Sequence, residues 1–299
     1  MNYPKIAIIV LNWNGLDDTI QCLESLKKIT YSNYEIVVVD NGSAGDDADI
    51  LKGKYGESVR IIRKSKNYGF TGGNNIAIRW LVKNSYADYF LLLNNDTTVD
   101  SEFITEMVKA CEVNPEIGIG GPKTYYFDDP LRFQLVWFKV DMRFGKAYLV
   151  GAREFDRGQY ENITYVDYIA GSCFLIKRNV IEEIGLLDDS YFAYWEETDY
   201  CIRARRARYK IVYVPKAKIW HKVSQTVGLL SPFVQYYNTK NRFRFMKKHA
   251  TKIQYFYFLL YFLYYFFWWA SALDLVRHRN MKRWRAFLRG VKDGIFLKI

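Results

Sequence analysis

Four short polar clusters recur in the first third of the chain, each directly after an apolar run. They are Asn12-Trp13-Asn14-Gly15, Asp40-Asn41-Gly42-Ser43, Asn67-Tyr68-Gly69-Phe70-Thr71-Gly72-Gly73-Asn74-Asn75 and Asn94-Asn95-Asp96. Each alone is a weak signal, since Asp-Asn-Gly-Ser is more often a turn than a site. The glycine-rich stretch has neither GxGxxG nor GxxxxGK[ST], which counts against a dinucleotide or P-loop reading. Asp96 is a hard ligand suited to Mg²⁺ or Mn²⁺, which take few protein groups plus phosphate oxygens. By itself it would serve equally as a turn or cap residue. Farther on, Tyr194-Trp195-Glu196-Glu197-Thr198-Asp199 places three acids at the start of a helix. The helix dipole favours acids there. Their aromatic setting would also raise a carboxylate toward the general-base range. His221 follows a short apolar run, where a lone His is ordinarily a packing residue.

These clusters need elements to bring them together. Apolar runs predict strands over Lys5–Leu11, Tyr34–Val39, Val59–Ile62 and Tyr89–Leu93. Helical spacing predicts helices over Asp17–Lys28, Thr71–Val82 and Ser101–Glu112, the last capped by Ser101. Strand–helix alternation with continuous apolar strands implies a mostly parallel sheet covered on both faces. Ligands of such sheets bind beyond the carboxyl ends of the strands, where all four polar clusters fall. Pro122 to about Asn162 reads as an irregular or hairpin excursion. Strand character returns at Tyr165–Ile176, Lys210–Val214 and Lys218–Trp220, around a helix at Glu197–Arg208.

The 299 residues are half apolar, which excludes a disordered chain or a small disulfide scaffold. The cysteines Cys22, Cys111, Cys173 and Cys201 form no CxxC or Cys/His cluster, so reduced thiols are expected. The N-terminus reads as a strand rather than a signal peptide, so the sequons at Asn41, Asn95 and Asn162 are expected to be chance matches.

The net charge of +11 is uneven. Residues 235–299 hold 14 Lys and Arg against two acids, leaving 29 basic and 30 acidic side chains before them. A basic aromatic helix is predicted over 231–250. It leads into 21 uncharged residues, Ile253 to Leu273, and 12 of the 17 residues in 253–269 are aromatic. That block is long enough to cross a hydrocarbon core of about 30 Å. Its Tyr and Trp content favours the interface, and basic flanks on both sides suit an anionic leaflet. The expectation is a peripheral or re-entrant tail on the cytoplasmic face of the membrane. A span or a homo-oligomer contact through these helices are the alternatives.

In order, VLNWNG, VVVDNGS, NYGFTGGNN, LLLNNDTTVD, YIAGSCFLIKR, FAYWEETDYCIRAR and IWH resemble the family 2 glycosyltransferases, over about residues 5–225. They are most similar to the rhamnosyltransferase-like branch. The resemblance implies a GT-A fold over residues 1–228, with 229–299 as a helical, membrane-associating region. It implies inverting, Mg²⁺- or Mn²⁺-dependent transfer from a nucleotide-diphosphate sugar, UDP- or dTDP-linked, to a lipid-linked or polysaccharide acceptor. Asn12 and Asp40 match positions that hold the base and ribose, with Asn41 beside them. Asn67, Gly73 and Asn74 match the segment lining the donor. Asn94 and Asp96 match the ends of the DxD motif, with Asn95 between them and Asp96 as metal ligand. Glu197 matches the catalytic base. The family usually has aspartate there, so Glu196 and Asp199 stay open. His221 matches a late His that can join the metal.

Two other readings compete. A nucleotidyltransferase also binds nucleotides at strand ends, but would carry a cationic residue in a glycine-rich phosphate loop. A nucleic-acid-binding protein could use the basic tail, but the uncharged block argues against it, and no nucleic-acid partner is expected.

Overall fold

The computed structural model describes residues 3–222, 228 and 230–299. Positions 223–225, the end of the stretch that resembles the family, and Leu229, where the expected helical region begins, lie outside the described residues.

The first half alternates strand and helix: β1 (Ile6–Asn12), α1 (Leu16–Leu26), β2 (Tyr34–Asp40), α2 (Asp47–Tyr55), β3 (Arg60–Arg63), α3 (Gly69–Asn84) and β4 (Tyr89–Asn94). There follow β5 (Thr97–Val99), α4 (Phe103–Glu112), β6 (Ile117–Tyr126), β7 (Phe133–Leu135), and the hairpin β8 (Trp137–Asp141) and β9 (Lys146–Val150). The body closes with β10 (Thr164–Tyr165), β11 (Cys173–Lys177), α5 (Arg178–Ile184), α6 (Glu196–Arg206) and β12 (Lys210–His221). The main sheet runs β10-β12-β6-β11-β4-β1-β2-β3. β3, β2, β1 and β4 are mutually parallel, while β11 runs antiparallel to β4 and β6.

Side chains alternate across this sheet, as a strand requires. Ile6, Ile8 and Val10 of β1 and Leu91 and Leu93 of β4 pack with α1, α2 and α4, through Leu23, Leu51 and Phe103. Ala7, Ile9, Phe90 and Leu92 point the other way, onto Ile78 of α3, Val180 of α5 and Tyr200 of α6. Both faces are therefore covered, and polar groups can face solvent only at the strand ends.

Several expected boundaries moved. Ser101 caps nothing: α4 starts after Glu102, whose N–H is taken by Asp100 Oδ1 at 2.9 Å. The strand expected over Tyr165–Ile176 is split by a turn at Ala170–Ser172 into β10 and β11. The two short strands after Tyr209 are one, β12, broken only in register between Val214 and Lys218, because Pro215 lacks an N–H for the ladder.

The C-terminal part is helical: α7 (Pro232–His249), α8 (Lys252–Tyr261), α9 (Phe267–Ala272) and α10 (Met281–Ile295). A π-helical turn, Phe262–Phe266, joins α8 to α9, so Lys252–Arg277 is one continuous helix of 26 residues. Its buried stripe, Phe258, Phe262 and Ala270, packs with Phe243, Met246 and Phe287 of α7 and α10. Partly buried Trp195 and Ile202 of α6 join that cluster, so the helical part and the sheet domain share packing.

Candidate active site

The clusters singled out by residue type meet at one sheet edge. The cleft there holds about 650 Å³ and is lined by Asn41, Asn67, Asn94, Asn95, Asp96, Glu196, Glu197 and His221, among others. Parallel register brings the loops together: Asn12 lies beside Asp40, and Leu11 beside Asn94.

The residues divide into those that face the cleft and those that hold the loops behind it. Asn12 and Asp40 are fully buried. The Asn12 carboxamide donates to Asp40 Oδ1 at 3.2 Å, Ser43 Oγ at 3.1 Å and Asp47 Oδ2 at 2.9 Å, and accepts from Thr19 Oγ1 at 2.8 Å. The pair thus joins the ends of β1 and β2, and its neighbours Trp13 and Asn41 reach the cleft. Asn41 in turn donates to Asn67 Oδ1 at 3.0 Å and Gly69 O at 3.1 Å, fixing the third loop. Gly73 and Asn74 do not line the cleft. A Cβ on Gly73 would lie 2.4 Å from Leu11 Cδ1, so that glycine lets α3 approach β1. Asn74 donates to Phe70 O at 2.9 Å within its own helix. Asn95 donates to Gly15 O at 3.2 Å and Thr19 Oγ1 at 3.0 Å, tying the fourth loop to the first.

Asp96 and His221 form a pair, Oδ1 to Nε2 at 3.0 Å, with Asn94 Nδ2 3.4 Å from the same nitrogen. The other ring nitrogen, Nδ1, lies 2.8 Å from Gln134 Oε1 on β7. In the tautomer in which Nδ1–H donates to that oxygen, Nε2 presents its lone pair on the side of the Asp96 carboxylate. Two lone-pair donors converging on one point suit a divalent cation, and an oxygen accepting from the far ring nitrogen is the usual support for a ligating histidine. No group of three or more His, Cys, Asp or Glu among the described residues could cage a metal alone. Two protein donors still fit an ion that completes its shell from phosphate oxygens and water.

Glu196 and Glu197, which line the same cleft, open α6. One carboxylate oxygen of each is buried without a hydrogen-bond partner among the described residues. Burial pushes the Glu197 carboxyl up to about 7. Burial, and then the neighbouring Glu197 charge, push Glu196 well above the usual range. The preceding residues Tyr194 and Trp195 have φ of +68° and +76°. Left-handed geometry at non-glycine residues costs about 1–3 kcal/mol each, and such strain concentrates at working sites.

Asp199 is different. It does not line the cleft but turns into the contact with α7, bonded to Arg203 Nε at 2.8 Å, His249 Nε2 at 2.7 Å and Lys248 Nζ at 2.7 Å. Burial pushes its carboxyl up, but the His249 hydrogen bond and the Arg203 and Lys248 cations outweigh it and hold the group well below the usual range. A carboxylate stabilised in this way is a poor proton acceptor, so of the three acids only Glu196 and Glu197 remain as candidate bases.

Sequence reading missed Gln134 and the α7 residues Phe233, Val234 and Asn238, which line the cleft. The helix expected over 231–250 is present as α7, but nothing in its sequence placed it against the cleft.

A sheet covered on both faces, with its polar cleft at the strand ends, is the architecture this chain shares with solved GT-A glycosyltransferases. The chain superposes on mannosyltransferase PcManGT from Pyrobaculum calidifontis, solved in complex with GDP-Man and Mn²⁺. The TM-score is 0.63 over 99% of this chain and 88% of that one, at 12% identity. Residues 7–185 match the model of Glycosyl transferase family 2, and the chain belongs to that family. It is 26% identical over 268 residues to the low-salt glycan biosynthesis hexosyltransferase Agl10 of Haloferax volcanii, covering 84% of this chain and 79% of that protein. It is 23% identical over 258 residues to the dTDP-rhamnosyl transferase RfbF of Shigella flexneri, covering 83% and 82%.

Proposed function

We propose that this glycosyltransferase moves a sugar, with inversion, from a UDP- or dTDP-linked donor to a hydroxyl of a lipid-linked or polysaccharide acceptor. The observation that carries the reading is one cleft lined both by the Asp96–His221 pair and by Glu197, whose Oε2 is buried with no hydrogen-bond partner among the described residues. The relatives' names support a hexosyl or rhamnosyl donor.

In this reading Asn41 and Asn67 grip the nucleotide end of the donor. Asp96 and His221 would hold Mg²⁺ or Mn²⁺ against the diphosphate. A divalent ion bound there would offset the charge that builds on the leaving nucleoside diphosphate. Glu197 accepts the proton of the acceptor hydroxyl, whose oxygen then bonds to the anomeric carbon as the carbon–phosphate-oxygen bond breaks. Its raised proton affinity suits that task near neutral pH. A single displacement needs no enzyme nucleophile and inverts the anomeric centre.

We place the enzyme on the cytoplasmic face of the membrane, held by the helix Lys252–Arg277. That helix packs one stripe on the body and exposes the other: Tyr264 at 79%, Trp268 at 66% and Trp269 at 50%. A helix packed along one face suits an interfacial position better than a span. Exposed Lys252, Arg277, Arg279, Lys282 and Arg285 flank it. Other tail cations are engaged internally. Arg242 donates to Gly145 O at 2.6 Å, Lys247 to Ile295 O at 2.6 Å, and Arg283 to Asp274.

The experiment is a panel of UDP-, dTDP- and GDP-sugars with Mg²⁺ or Mn²⁺, scored by nucleoside diphosphate released and by product anomeric configuration. Release from one donor class with an inverted product supports the reading. A retained configuration, or no release from any donor, contradicts it.

A further inference from the structure

The strained turn before the two glutamates has a specific support. Asn241 on α7 is fully buried and does not line the cleft. Its Nδ2 donates to two successive carbonyls, Ala193 O at 2.8 Å and Tyr194 O at 3.0 Å. Its Oδ1 is buried with no partner among the described residues. So the side chain uses both donors and leaves its acceptor idle, a poor arrangement for stability alone. A second grip lies just beyond the glutamates, where Lys248 and His249 of the same helix hold Asp199. Helix α7 therefore clasps the start of α6 on both sides of Glu196 and Glu197.

We propose that Asn241 is a positioning residue for transfer: its carboxamide holds Tyr194 and Trp195 in left-handed geometry and so aims the Glu196–Glu197 pair into the cleft. The inference rests on the reading of that pair as the source of the base. Loosening the turn at Tyr194 and Trp195 changes the direction of both carboxylates, while Asn41, Asn67 and Asp96 belong to other loops and the Asn67–Gly69 loop meets this segment before the turn, through Phe70 N–H to Phe192 O at 2.8 Å. A misplacement of about 1 Å at a reacting group costs on the order of 10²-fold in rate. The loss should therefore fall on kcat rather than on donor binding.

The test uses the full chain with Asn241→Leu, which keeps the volume and removes both donors. We expect a folded protein, a donor Kd within about twofold of the parent, and kcat lowered about 10–100-fold. Asn241→Ser, able to donate once, should lie between the two. Parent-like kcat in folded Asn241→Leu overturns the proposal. So does a parallel loss of donor affinity, and so does failure of both variants to fold, which would assign Asn241 to the fold alone. Glu197→Gln and Glu196→Gln, measured alongside, separate the two layers. If both retain turnover, the base reading has failed. If either is inactive while Asn241→Leu is not, only the positioning role has failed.

Discussion

His221 Nε2 stands 3.0 Å from Asp96 Oδ1 because the short strand β5 pairs Thr97 with His221. Thr97 is buried and its hydroxyl donates to Asn94 O at 2.6 Å, so the turn from β4 into β5 is locked at both ends. The backbone N–H of Lys222 closes the contact onto Asp96 O at 3.0 Å. Register alone thus delivers an imidazole to a carboxylate from the other half of the domain.

A metal role for this pair makes a direct prediction. Asp96→Asn removes the anionic ligand at constant size, and transfer should fall by at least about 10²-fold. In the parent, Mn²⁺ should tighten donor binding, and EDTA should abolish turnover. Gln134→Leu frees the ring of His221 and should raise the Mn²⁺ requirement about 10–100-fold. Titration of activity against Mn²⁺ measures the two variants and the EDTA effect, donor titration with and without Mn²⁺ measures the binding, and full activity in EDTA would sink the assignment.

The glutamate pair predicts a pH dependence whose sign follows from burial. Glu197 binds its proton up to about pH 7 in the folded protein, so transfer should rise as pH passes through neutrality. Glu197→Gln should lower kcat by about 10²–10⁴-fold and spare donor binding. A larger loss in Glu196→Gln would make Glu196 the base. Stability runs the other way. The unfolded chain releases this proton near its usual carboxylate value while the folded chain keeps it, so stability falls as pH rises from about 4.5 to 7. Glu197→Gln should therefore melt higher than the parent at pH 8, by on the order of 1–3 kcal/mol in stability, and match it near pH 4.

Gly69 ties the third polar loop to the segment that leads into Glu196 and Glu197. Its φ is +75°, and a Cβ there would lie 2.2 Å from Phe192 O, whose carbonyl accepts from Phe70 N at 2.8 Å. Gly69→Ala meets both a backbone penalty and a collision with main chain, and should cost about 2–4 kcal/mol with a loss of kcat. Gly73→Ala meets the end of the Leu11 side chain at 2.4 Å, which can move, and Asn41 Nδ2 at 3.2 Å, but no backbone, and should cost less. Denaturant unfolding of the two variants gives the order, and a reversed order would contradict the packing described here.

The sheet was legible because its strands are short apolar runs ended by Asn, Asp and Gly. Those polar residues stand at the carboxyl ends, so the loops that line the cleft were legible too. The sequence did not reveal which polar residues face the cavity. Asn12 and Asp40 satisfy each other, and Asp199 is held by α7, through contacts between segments far apart in the chain. Gln134 and Asn241 had no local signature, since each acts on one distant partner element. Helix α2 was missed because Asp47–Tyr55 has little apolar periodicity and buries only Ala48, Leu51 and Tyr55. The basic tail read as a uniform charge, whereas folding turns Arg242, Lys247, Lys248 and Arg283 inward.

The exposed side of Lys252–Arg277 predicts how the enzyme meets lipid. Phe256, Tyr264, Tyr265, Trp268 and Trp269 lie on the solvent side and carry no share of the core formed by Phe258, Phe262 and Ala270. Replacing Tyr264, Tyr265, Trp268 and Trp269 with Ser should leave the fold intact and abolish flotation with phosphatidylglycerol vesicles. Replacing exposed Arg277, Arg279, Lys282 and Arg285 with Gln should weaken binding by about 1 kcal/mol per charge at low salt, and less at high salt. Aromatic burial sets the contact and charge draws the protein to it, so the first variant should fail even at low salt. If both variants float like the parent, this face is not the lipid contact. If the aromatic variant instead turns a dimer into a monomer in detergent-free buffer, the face buries itself against a second copy of the chain.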